Sequence, residues 1–173
     1  MNRELKNQEK VRIVFDKYVD SLTKTTERRE LWKTETKEKI FEVLSLVEKT
    51  FKFQWHVQRI EVIDNYQTIN ICCNDRASGL IETIYEENTN NLIKRKSFIK
   101  HGGYLAYCQS YNGKINVVIG FPYIDEWVEQ MNSKVIATLE PSQITETLIT
   151  DQVIYFLQSL SEWEGKDRTP VGF

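Results

Sequence analysis

Nucleophilic, proton-transferring or metal-ligating chemistry in this chain would fall to few side chains: Cys72, Cys73 and Cys108, with His56 and His101. A thiolate–imidazole pair needs its two groups within hydrogen-bond reach, and a structural zinc site needs four ligands at short, regular spacing. The spacing here meets neither condition. There is no CxxC, the cysteine count is odd, and neighbours such as Cys72 and Cys73 rarely bridge each other. Cys108 and His101 are seven residues apart, ~23 Å along an extended strand. Bending the chain at Gly102-Gly103 shortens that distance without aiming either group at the other. All three cysteines lie among Ile, Tyr and Val, where a free thiol behaves as a small hydrophobe. No metal, no cofactor and no catalytic residue is expected.

The established catalytic signatures are missing as well. The chain has no GxxxxGK(S/T), no GxGxxG after a strand, no HExxH and no GxSxG. Its order of elements, a helix, three strands, a helix and a strand, resembles that of the PD-(D/E)xK nucleases. Those enzymes hold a divalent metal on strand carboxylates beside a lysine. The corresponding strand here, residues 114–121, contains no acid, and Glu35-Thr36-Lys37 falls on a helix. The resemblance stops at the order.

What remains is recognition. His101, Tyr107 and Tyr111 are expected along one partly polar face, near Arg95, with Trp127 close by. Tyr and Trp offer a large flat contact and one hydrogen bond, which suits a protein or small-ligand partner. Lys94, Arg95, Lys96 and Lys100 form a basic strand without an acid, an alternative surface for nucleic acid. Four charges along a strand are more often a solvated edge that discourages aggregation, so nucleic acid is not the favoured partner. Residues 123–164 carry the opposite bias, eight acids against Lys134 alone, although the whole chain is nearly neutral at −2.

These residues must be positioned by ordinary α+β elements. The first fifty residues contain no Gly and no Pro and read as helix. Val11, Val14, Phe15, Tyr18 and Leu22 line one face, as do Ile40, Phe41, Leu44, Val47 and Phe51 further on. Thr23-Lys24-Thr25-Thr26 is a weak point, so residues 1–51 read as either a hairpin of two helices or one rod. A rod that long needs a partner, which points to a homodimer through the N-terminal helices.

From residue 53 the apolar period changes to two, and hairpins are expected around Asp64-Asn65, residues 88–91 and Asn112-Gly113. The first register sets Ile60 opposite Ile69. The segment 74–79 reads as a loop, and residues 80–87 read as a strand, although a short helix fits their period equally well. At Asn112-Gly113 a two-residue type I′ turn would pair Tyr104 with Phe121. Tyr104, Ala106 and Cys108 would then face the core, leaving Leu105, Tyr107, Gln109 and Tyr111 on a half-exposed face. Pro122 ends that strand, and Ile124, Trp127, Val128 and Met131 are spaced for a short helix over 124–131. A last strand at 134–139 precedes a helix over 145–163, and residues 166–173 read as a tail.

The expected fold is one α+β domain over residues 1–165. It has a mostly antiparallel sheet of about seven strands, long N-terminal helices and a C-terminal helix packed on one face. No apolar run approaches the ~18 residues of a membrane span. No secretory leader is evident at the N-terminus, so a cytoplasmic protein is expected, and the Asn, Lys and Ile content fits an AT-rich bacterial genome. The favoured function is a non-catalytic binding or regulatory module acting as a homodimer. A small enzyme or ligand sensor is the alternative, with a pocket between sheet and C-terminal helix lined by Tyr107, Trp127 and Phe156.

Overall fold

The structure is a computed structural model and describes residues 2–63, 66–85, 92–126 and 132–166. The N-terminal region is one rod. Helix α1 (Asn2–Leu31) passes through a single π turn (Trp32–Thr36) into α2 (Lys37–Thr50). At 1.5 Å per residue the rod is on the order of 70 Å long. The threonines that seemed to weaken it sit inside it. Thr23, Thr25 and Thr26 each donate their hydroxyl to the carbonyl four residues back, at 3.1, 2.9 and 3.2 Å. That back-bonding satisfies the side chains without breaking the helix. The irregularity lies further on, where the Lys37 N–H reaches Trp32 O across the π turn. Trp32 and Thr36, four residues apart, share the buried side of the rod.

Eight strands follow, in two antiparallel sheets. These are β1 (Trp55–Ile63), β2 (Tyr66–Cys73), β3 (Arg76–Tyr85), β4 (Leu92–His101), β5 (Tyr104–Gln109), β6 (Ile115–Gly120), β7 (Tyr123–Ile124) and β8 (Ser133–Leu139). The larger sheet has the order β1-β2-β5-β6-β8, and the smaller has the order β3-β4-β7. The segment expected as a loop is strand from Arg76 onward, and residues 80–85 are strand, not helix. Where a helix was expected from residue 124, Ile124 belongs to β7, paired with Lys100, and a turn follows at Asp125-Glu126. Residues 127–131 of that expected helix, with Trp127, lie outside the described residues, as do the turns at 64–65 and 86–91.

Helix α3 (Glu146–Gly165) starts where Thr145 accepts the Leu148 N–H at 3.2 Å, an N-cap that satisfies one unpaired donor of the first turn. It packs with α2 on one face of the larger sheet. Ile40 and Leu44 from α2, and Ile149, Val153 and Phe156 from α3, meet Ile69, Ile71, Leu105, Tyr107, Ile115, Val117 and Ile119. Each such side chain contributes about 1.5–3 kcal/mol when fully buried.

Two registers differ from expectation by one residue, and both differences matter. In the β1–β2 pair Ile69 lies opposite Arg59, not Ile60, because an irregularity between Glu61 and Ile63 absorbs one residue. In the β5–β6 pair Tyr104 lies opposite Gly120, not Phe121. The turn has three residues. Ser110 and Lys114 are bonded across its base at 2.8 Å, the Gly113 N–H donates to Ser110 O at 2.9 Å, and only Gly113 has positive φ, +79°. This is a type I turn closed by a left-handed glycine, not the two-residue type I′ turn. The shift exchanges the faces. Leu105, Tyr107 and Gln109 are buried with Ile115, Val117 and Ile119, while Tyr104 and Cys108 are only half-buried.

Candidate functional site

The side chains expected to form one recognition face are dispersed. Tyr107 is fully buried, its hydroxyl donating to Gln152 Oε1 at 2.7 Å inside the core, and burial pushes its phenol far above the usual range. Tyr111 is exposed at the turn, with the Arg29 guanidinium 5.2 Å above its ring. Arg95 lies on β4 in the smaller sheet, far along the chain register from both, opposite Thr83. The four basic residues of β4 do not make one patch either. Alternation puts Arg95 on the face opposite Lys94 and Lys96. Lys96 is paired with Glu126, and Lys100 is buried against Glu164 with its ammonium 4.5 Å from the Trp163 ring centroid.

His101 pins the joint between the two sheets. Nδ1 lies 2.9 Å from Asp75 Oδ2 and Nε2 lies 2.9 Å from Asp125 Oδ2, while the ring stacks on Tyr123 at 4.4 Å. The hydrogen bond to Asp125, seconded by Asp75 and opposed by desolvation, raises its pKa above the ordinary histidine value. A doubly donating imidazolium fits this position.

The rod docks on the β5–β6 turn. Arg28 donates to both carboxylate oxygens of Glu140, at 2.5 and 2.8 Å, and to Asn112 O at 3.3 Å; Arg29 donates to Tyr111 O at 2.6 Å. The Arg28 ion pair holds the Glu140 carboxyl below the usual carboxylate range. A Cβ on Gly113 would lie 2.6 Å from Arg28 Cβ, so the glycine serves both its φ and this close approach. N-terminal to that contact, every residue from Lys6 to Lys24 is exposed.

Sequence reasoning missed a thiol cluster on the other face of the larger sheet. His56 stands directly across from Cys72, with Nε2 3.2 Å from Sγ, and its Nδ1 lies 2.7 Å from Asn74 Oδ1. Gln58 Nε2 donates to the same sulfur at 3.3 Å. An amide oxygen only accepts, so Asn74 fixes the proton on Nδ1 and leaves the Nε2 lone pair facing the thiol. Burial, then the nearby Asp75 and Glu48 carboxylates, push the Cys72 thiol up. The sulfur also lies 3.7 Å from the His56 carbonyl oxygen. The expected register, Ile60 opposite Ile69, would have set His56 against Cys73. The available signal was the period-two polar pattern, His56-x-Gln58 against Asn70-x-Cys72-x-Asn74.

Two of the cavities adjoin residues already described. One, about 230 Å³, opens between the Gly102-Gly103 bend and α3, lined by Cys73, Leu157 and Leu160, with Arg76, Lys100 and Glu164 at its polar end. It occupies the place expected for a pocket between sheet and C-terminal helix, but Tyr107 and Phe156 belong to the sealed core instead. Burial raises the Cys73 thiol there to about 11. The second cavity, about 350 Å³, lies at the elbow where the π turn meets the ends of β1, β2 and β5. Among the described residues no group of three or more His, Cys, Asp or Glu could hold a metal ion, and no helix is long and apolar enough to cross a membrane. No protein-family model, curated protein or solved structure matches the chain.

Proposed function

We propose that the protein is a recognition module that pairs with a second copy of itself through the free part of α1. One observation carries this reading: Val11, Val14, Phe15, Tyr18 and Leu22 are each at least half exposed, on a stretch of α1 in which every residue from Lys6 to Lys24 is exposed. With Val19, this stripe offers roughly 100 Å² per side chain, about 1,200 Å² for a pair of copies, which clears the ~1,000 Å² of a stable interface. Charges of both signs alternate beside it, at Glu9, Lys10, Arg12, Asp16, Lys17 and Asp20. A surface of one sign, such as nucleic acid or an anionic membrane, finds no complement there, whereas a copy of the same helix does. Light scattering across a concentration series tests the pairing. The parent should show the mass of two chains, and Phe15→Asp with Tyr18→Asp should show one, with unchanged melting of the body. A parent that stays at the mass of one chain at every concentration sinks the idea.

A second reading rests on the Cys72–His56–Asn74 line: acyl transfer from an activated ester or thioester. Cys72 Sγ would attack the carbonyl carbon while its proton passes to His56 Nε2. The leaving group would depart with that proton, and water, deprotonated by the same nitrogen, would then release the acid and restore the thiol. The Gln58 N–H beside the sulfur would meet the developing oxyanion. With p-nitrophenyl acetate as probe, mass mapping should find acetyl on Cys72 before Cys73 or Cys108. His56→Gln should slow this by about 100-fold. Equal labelling of the three cysteines, or no effect of His56→Gln, refutes it.

A further inference from the structure

Two residues lining the elbow cavity carry buried donors that find no acceptor among the described residues. Trp32 is 2 % exposed and Gln109 8 % exposed, and among the described residues neither Trp32 Nε1 nor Gln109 Nε2 has a hydrogen-bond partner. Both line the same space. One orphaned donor is an exception in a folded protein; two on residues that line one cavity ask for a shared acceptor. An unmade hydrogen bond at such a site is a cost that a ligand would recover.

Charge says which acceptor. Arg29, Lys33 and Lys37 also line the cavity, one helical turn apart along the rod. Arg29 is engaged with the Tyr111 carbonyl, and Lys37 Nζ donates to Gln67 Oε1 at 3.2 Å. Lys33 has no ion-pair partner among the described residues. Two carboxylates are present, Glu30 and Glu61, and Glu61 already accepts from Gln67 at 2.8 Å. The balance is three cations to two acids, with the two neutral donors on the same walls. Trp32 and Thr36 are buried on one side of the rod while Lys33 and Lys37 follow the neighbouring ridge, all within or beside the π turn, and π turns recur at functional sites.

We propose that this cavity binds a small molecule through an oxyanion, a carboxylate or a phosphate, held by Trp32 Nε1, Gln109 Nε2 and the ammonium groups of Lys33 and Lys37. The volume matches a compact metabolite, not a polymer. The site is separate from the pairing stripe, so failure of one reading leaves the other standing.

Thermal melting and titration calorimetry on the full chain test it, with sodium phosphate, sodium citrate and sodium chloride at matched ionic strength. Phosphate or citrate should raise the melting temperature saturably and chloride should not; whichever anion acts identifies the headgroup class. Gln109→Met keeps the volume and removes the orphaned donor. It should melt no lower than the parent in chloride yet weaken anion binding about tenfold, and Lys33→Met should weaken binding similarly. Phe15→Asp with Tyr18→Asp should bind as the parent does. If neither anion gives a saturable response, or if Gln109→Met and Lys33→Met respond as the parent does, water alone fills the cavity and the proposal is wrong.

Discussion

Two glycines with nearly the same backbone separate the docking of the rod from the strain of a turn. Gly113 has φ +79° and Gly79 has φ +83°. Alanine at either position would pay for a left-handed conformation, about 1–2 kcal/mol. Around Gly79 a Cβ would meet nothing within 4 Å, so the cost of Gly79→Ala ends there. At Gly113 it would lie 2.6 Å from Arg28 Cβ and 3.1 Å from Thr25 O, both on the rod. Carbon atoms rest at ~3.5–4.0 Å, so the helix must lift by about 1 Å or the turn must sink. Overpacking of this kind costs about 1–3 kcal/mol. The lift would also stretch the Arg28–Glu140 pair, whose carboxylate sits one residue beyond β8. Gly113→Ala should therefore cost about 2–5 kcal/mol, a large share of the ~5–15 kcal/mol of a typical domain. Urea denaturation followed by circular dichroism measures both variants, with the slope unchanged and only the midpoint displaced. Equal costs within about 0.5 kcal/mol would mean that the rod does not rest on this turn, and the described elbow would be wrong.

Three further outcomes follow from the same structure. His101 has its folded pKa raised by Asp125 and Asp75, so the stabilisation it gives is complete below its ordinary value of 6.5 and fades as pH rises through the raised value. Both aspartates are half-exposed, which limits the effect to below about 1 kcal/mol, and His101→Gln should remove that pH dependence; an unchanged slope would refute the clamp. Glu164→Gln should cost about 1–2 kcal/mol, because it strips the anion shared by Arg76 and the buried Lys100; Lys100→Met keeps the stem against Trp163 and should cost less, and the reverse order in denaturation midpoints would contradict the assignment. Thr23→Ala, on the free part of the rod, should raise helicity and add a few tenths of a kcal/mol, whereas a loss would show that the back-bonded threonines hold the helix.

The α+β class, the rod's apolar stripe, and the beginning and end of α3 could all be read from residue types and spacing. Registers could not, and the reason lies in particular residues. Asn112-Gly113 has the letters of a two-residue turn, yet Asn112 keeps negative φ and only the glycine turns left-handed. The side-chain sets argue the point better than the turn letters do. Leu105 and Tyr107 with Ile115, Val117 and Ile119 make one coherent apolar face, and the two-residue reading split them across both faces. The same lesson applies to β1 and β2, where one absorbed residue at Glu61–Ile63 decides whether His56 meets Cys72 or Cys73. The rod misled in the opposite way. Threonines that cap helices elsewhere bond inward here, while the real irregularity at Trp32–Thr36 has no Gly or Pro to announce it.

That irregularity links the two proposals physically. Residues spaced by four drift by about 40° per step on an α-helix, and the extra residue of the π turn takes back part of that drift, so Trp32, Thr36, Ile40 and Leu44 stay on one buried face. The turn costs some local hydrogen bonding, and the buried Trp32 indole N–H beside it has no partner among the described residues. The same turn stands between the part of the rod that packs on the sheet, from Lys37 onward, and the part that projects beyond Thr25. Lys33 and Lys37, within and just after the turn, reach the elbow cavity, and Arg28 and Arg29, just before it, hold the β5–β6 turn. An oxyanion in the cavity would bond to the rod through Trp32 and the lysines and to the sheet through Gln109. It would therefore resist any change in the angle between them. A ligand can shift such an angle only by as much as it prefers one setting over another. The measurable consequence is reciprocity: if the anion tightens pairing of the projecting helices, pairing must tighten the anion by the same factor.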